Sequence, residues 1–187
     1  MRRTRLALSL TSTLAGLALA LVSACSDEAE PDPNGDCPEP AYGGKASDEA
    51  WRAILDALPT AEVGSPHAVT LTSPTEGAVL SADGGPPTFA WTSPIALDIA
   101  PSGRVPRHLP PITDDIYYVQ IGVAGEDCAI EALTTELGWT PDAAAWAKLQ
   151  AAAGKALTLT VTSAYLQENV VAEGPYQLAA PLHFSLE

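Results

Sequence analysis

From residue 68 onward, apolar side chains recur at every second position, and that period constrains the fold more than any other feature. Val69 and Leu71 alternate with Thr70 and Thr72, and Phe89 and Trp91 alternate with Thr88, Ala90 and Thr92. Tyr117, Val119, Ile121 and Val123 interleave with Tyr118, Gln120 and Gly122, as Leu157, Leu159 and Val161 do with Thr158, Thr160 and Thr162. Successive strand side chains point to opposite faces, so this pattern buries one face and wets the other. A last strand is expected from Tyr176 to Leu186, with Leu182, Phe184 and Leu186 inward and Pro181 confining part of it to an edge. Turn formers separate the runs at Ser73-Pro74-Thr75-Glu76-Gly77 and Gly84-Gly85-Pro86-Pro87. No strand–helix–strand rhythm joins them. A mainly β chain, folded as an antiparallel β-sandwich over residues 66–187, is therefore expected.

Two short helices accompany the strands, at about 47–58 and 141–153. In the first, Ser47 is a cap, Asp48 and Glu49 suit the positive end, and Pro59 stops it. Trp51, Ile54, Leu55 and Leu58 fall on one face, a docking stripe for the domain that follows. In the second, Thr140-Pro141-Asp142 reads as a capped start with Pro in the first turn, followed by Trp146 and Leu149 and ended by Gly154.

Phe89-Ala90-Trp91-Thr92-Ser93-Pro94 resembles the second strand of fibronectin type III domains, where a buried Trp precedes a Pro. Tyr117-Tyr118-Val119-Gln120-Ile121 is similar to their third strand, and Leu157 to Ala164 with Gly174-Pro175 to their last two strands and turn. The family's Tyr-bearing corner is replaced here by the second helix, so the broader immunoglobulin-like class is the expectation. Such a fold implies no activity, since it serves adhesion, spacing and recognition alike.

The N-terminus speaks about location. Arg2, Arg3 and Arg5 precede an apolar run that ends Leu21-Val22-Ser23-Ala24-Cys25, the order of a cleaved secretory signal. Val22-Ser23-Ala24-Cys25 resembles the lipobox of bacterial lipoproteins. That resemblance implies cleavage after Ala24, acylation of Cys25 and a lipid-anchored place in the bacterial cell envelope, with Ser26 pointing to the outer membrane. The rivals are an ordinary secreted protein and an uncleaved span. The span reading is weakened because Leu6 to Val22 is short and diluted by Ser9, Thr11, Ser12, Thr13 and Gly16. Residues 1–24 are thus read as signal peptide, 25–46 as a lipidated, flexible acidic tether, and 47–65 as helix and connector.

The chain has 9 basic and 23 acidic residues, and losing the three signal arginines leaves a net charge of −17. Such a field repels nucleic acid, so none is expected as a partner. With Cys25 set aside, Cys37 and Cys128 remain, an even pair that in an exported chain reads as a disulfide. Asp32-x-Asn34-x-Asp36 resembles the opening of a calcium loop, but Cys37 and Gly43 stand where the loop needs Gly and Glu. That stretch reads as linker.

The search for chemistry finds no Gly-x-Ser-x-Gly, phosphate-cradling loop or His-Glu-x-x-His. His67, His108 and His183 are scattered, Asp114-Asp115 reads as a turn cap rather than half of a glycosidase pair, and the four tryptophans sit in core-like patterns. No catalytic residue, metal ligand or cofactor is expected. One segment stands apart: Pro94 to Thr113 lacks apolar periodicity and holds Arg104, Arg107 and His108, a candidate binding loop. The functional expectation is a non-enzymatic binding, adhesion or spacer domain. Its expected partners are the membrane, through the lipid, and a protein or glycan of the envelope. The alternative is a ligand module for glycan or metal, and more remotely a hydrolase.

Overall fold

A computed structural model describes residue 35 and residues 37–94 and 111–187 of the chain. In chain order the first elements are β1 (Ala41–Gly43), α1 (Asp48–Ala57), a 3-10 turn (Leu58–Thr60), β2 (Glu62–Val63), β3 (Thr70–Ser73), β4 (Ala78–Leu80) and β5 (Phe89–Thr92). Then come β6 (Asp114–Val123), β7 (Ile130–Thr134), β8 (Gly138–Trp139), α2 (Ala143–Ala151), β9 (Leu157–Gln167), β10 (Val170–Gln177) and β11 (Leu182–Leu186).

The ladder between β6 and β9 carries the architecture. It is antiparallel from Asp114 opposite Leu166 to Val123 opposite Leu157. On the outer edge of β6, β7 pairs antiparallel and β1 joins β7. The far edge of β9 forks. Its C-terminal half pairs β10 and its N-terminal end pairs β11, which extend to β2 and β4. A separate three-stranded sheet, β3-β5-β8, makes the second layer.

Alternation in the long strands produces two cores rather than one. Tyr117, Val119 and Ile121 of β6, with Leu157, Leu159 and Val161 of β9, face Phe89, Trp91 and Trp139 of the small sheet and Trp146 and Leu149 of α2. The Trp91 and Tyr117 rings lie 5.4 Å apart, and Phe89 touches Trp139 and Phe184 at 5.7 Å each. On the opposite face, Ile116, Tyr118, Ala164 and Leu166 are covered by Ala50, Trp51 and Ile54 of α1. Trp51 and Ile54 together contribute roughly 4 kcal/mol of apolar burial. The ladder is buried on both faces where α1 covers it, whereas Gln120, Gly122, Thr158 and Thr160 at its other end are half-exposed.

Local chemistry explains both helices. The Ser47 hydroxyl accepts the Ala50 N–H at 3.4 Å, Asp48 and Glu49 occupy the first turn, and Pro59 enters the 3-10 turn that follows. In α2 the cap is Asp142, whose Oδ1 accepts the Ala145 N–H at 2.8 Å. Pro141 therefore precedes the cap instead of filling the first turn, because the Asp142 carboxylate captures the free helix N–H and moves the start two residues beyond the expected one.

Several expectations change. The sandwich is mixed: the long ladders are antiparallel, whereas β1–β7, β2–β10 and β4–β11 are parallel. These three additions are two or three residues long and enter at edges without a hairpin. The strand expected over Tyr176 to Leu186 is two strands, since residues 178–181 leave the ladder before Pro181. The tether expected to reach residue 46 ends earlier, because Ala41–Gly43 is hydrogen-bonded into the large sheet.

Candidate functional site

Ala24, Cys25, Arg104, Arg107 and His108 lie outside the described residues, as do Asp32, Asn34 and Asp36. The candidate loop is placed only at its two ends. Its return end is fastened: the Ile112 N–H donates to Asn169 Oδ1 at 2.7 Å, and the Asn169 N–H donates to the Ile112 carbonyl at 2.9 Å. The Glu168 N–H adds a bond to Thr113 Oγ1 at 3.1 Å. Glu168 and Asn169 make the β9–β10 hairpin turn with φ of 53° and 63°, and neither is a glycine.

Beside this end sits the acid pair. Asp114 and Asp115 are neighbours on one strand, so their side chains diverge to opposite faces and do not form a facing catalytic pair. Asp114 Oδ2 takes the Lys45 ammonium at 2.7 Å. Asp115 is half-buried: Tyr117 donates its hydroxyl to Oδ2 at 3.4 Å, and Oδ1 has no hydrogen-bond partner among the described residues. Burial first, and then the charge of Asp114, push the Asp115 carboxyl above its ordinary range. Burial likewise pushes the Tyr117 hydroxyl up to about 12.

The other candidates are dispersed. The His67 ring lies 5.2 Å from that of Tyr176, and His183 Nδ1 lies 3.3 Å from Glu76 Oε1. No group of three or more His, Cys, Asp or Glu among the described residues is arranged to hold a metal ion. Each of the four tryptophans is at most 9 % exposed, leaving no broad indole face for a sugar ring. Cys37 and Cys128 are joined in a disulfide that ties the strand-entry segment to the β6–β7 connection.

The concave surface lies elsewhere, along the side where β1 edges the large sheet and β8 edges the small one. A cavity of about 530 Å³ opens between them, lined by Tyr42, Gly43, Thr134, Glu136 and Trp139 and reaching Asp142 at the start of α2. A second, of about 250 Å³, shares Ala41 and Asp142 with it, and a third, of about 270 Å³, lies beyond Lys148 against Cys128 and Ala152. Two residues of the largest are glycines at close approaches between strands. A Cβ on Gly43 would come within 2.9 Å of Thr134 Oγ1, and one on Gly138 within 3.0 Å of the Phe89 carbonyl. Burial and a hydrogen bond to Asp48 drive the Tyr42 hydroxyl far above its ordinary range, so its polar tip belongs to α1 while its ring borders the cavity.

Sequence reading did not find this place. Its walls come from strands of two and three residues, too short to show a period. The chain matches no protein-family model, no curated protein and no solved structure.

Proposed function

We propose that the chain is an exported, lipid-anchored envelope protein whose β domain binds or spaces rather than catalyses. The observation that carries this reading is the Cys37–Cys128 disulfide, formed twelve residues after the lipobox-like Cys25. Stable structural disulfides belong to oxidising compartments, and the only other cysteine is the one that the lipobox resemblance would acylate. The dispersion of His67, His183 and Asp115, each engaged with different neighbours, supports a binding rather than a catalytic role. The two-layer packing, with Trp91 and Tyr117 between the sheets, supports the immunoglobulin-like reading of the sandwich.

The test is Cys25→Ser. The parent protein should fractionate with membranes and carry a diacylglycerol thioether by mass, because two or more acyl chains anchor stably where one does not. The variant should be soluble and unlipidated. A parent protein that is already soluble, with a free Cys25 thiol, would sink the reading.

A further inference from the structure

We propose that the cavity between β1 and β8 is a binding site for a small organic ammonium compound. The site has two matching properties. Among the described residues, its only charged lining groups are Glu136 and Asp142, both acidic. One aromatic ring, that of Tyr42, borders it and is exposed, and ring faces attract cations that carboxylates alone would leave hydrated. Tyr42 is 39 % exposed and held through its hydroxyl by Asp48, so its ring is presented at little entropic cost.

Thr134 also lines the cavity, buried to 1 % exposure, with its hydroxyl accepting the Glu136 N–H at 3.0 Å. The volume of about 530 Å³ accommodates a small organic ammonium compound with several waters. The net charge of −14 acts in the same sense, concentrating cations and repelling anionic competitors. A phosphate or carboxylate on the ligand would be repelled by the like charges of Glu136 and Asp142. The class is therefore a cation without a compensating anion.

The inference concerns the domain alone and does not depend on acylation of Cys25, so the two can fail separately. Its test is a titration of the purified protein, followed by backbone amide shifts. The probes are choline chloride, its neutral isostere 3,3-dimethyl-1-butanol, and glucose. Choline should give saturable shifts at Tyr42, Gly43, Glu136 and Gly138, and the neutral alcohol should bind at least tenfold more weakly. Glu136→Gln combined with Asp142→Asn should weaken choline at least tenfold while leaving the melting temperature in place, since Asn keeps the capping oxygen of α2. Tyr42→Ala should weaken choline several-fold. Equal affinity for the neutral alcohol, preference for glucose, absence of saturation, or unchanged choline binding in the doubly neutralised variant would each overturn the site.

Discussion

Asn169 and Ile112 hold each other through two hydrogen bonds, one from each backbone N–H, at 2.7 and 2.9 Å. Asn169 does this with φ of 63°, where only glycine is at ease and asparagine next best. Asn169→Ala should therefore lose a side-chain acceptor and strain the backbone, costing about 2 kcal/mol. Asn169→Gly keeps the conformation and should cost about half as much. Thermal denaturation of the two variants separates the contributions. Equal losses would mean that strain at this turn is negligible.

The α1 face offers a second test. Trp51 is 4 % exposed and closes the apolar cluster around Ile116, Tyr118 and Leu166. Trp51→Ala should destabilise the protein by about 3–5 kcal/mol, the usual range for an indole removed from a core. A shift in the urea midpoint with an unchanged slope is expected. A change below about 1 kcal/mol would show that α1 covers the sheet without contributing to its stability.

The disulfide spans 91 residues of sequence. Chain entropy alone gives an upper value of about 4.6 kcal/mol for a loop of that length. Replacing Cys37 and Cys128 together by Ala should lower stability by up to that amount. Intact mass after alkylation without reductant should leave both cysteines unlabelled in the exported protein.

Asp115 predicts a pH dependence. Its carboxyl titrates above the unfolded value of 3.8, so the folded state holds the proton more tightly. The stability it contributes is fully present below that value and is lost as pH rises through the folded-state pKa. Asp115→Asn should then raise the melting temperature at pH 7, and the gain should shrink toward zero below about pH 3.8. A gain of the same size at both pH values would assign the effect to packing.

Where only one face of a strand is buried, the sequence declared it. Phe89 and Trp91 of β5 and the inward residues of β11 follow the period, and so does the stripe Trp51, Ile54 on α1. In β9 the pattern fades beyond Val161, because Thr162, Ser163, Ala164 and Leu166 are buried on alternate faces and leave no wet side to mark the period. The Glu168–Asn169 turn was missed because its left-handed residues are not glycines. β1, β2 and β8 are set by partners distant in sequence, Ala41 by Ala132 and Trp139 by Phe89. A cavity made by such strands leaves no local trace, whereas Cys37 and Cys128 could be paired by counting alone.

The Cys37–Cys128 link also decides how the domain would bear force. A pull arriving along the chain from the N-terminal side meets Cys37 four residues before β1. Covalently, the tension passes at once to Cys128 and from there into β7, which a five-pair antiparallel ladder holds to β6. The three-residue β1, which would otherwise peel away one hydrogen bond at a time, is shielded from the load. The groove formed beside β1 would therefore keep its shape while the domain is held under tension.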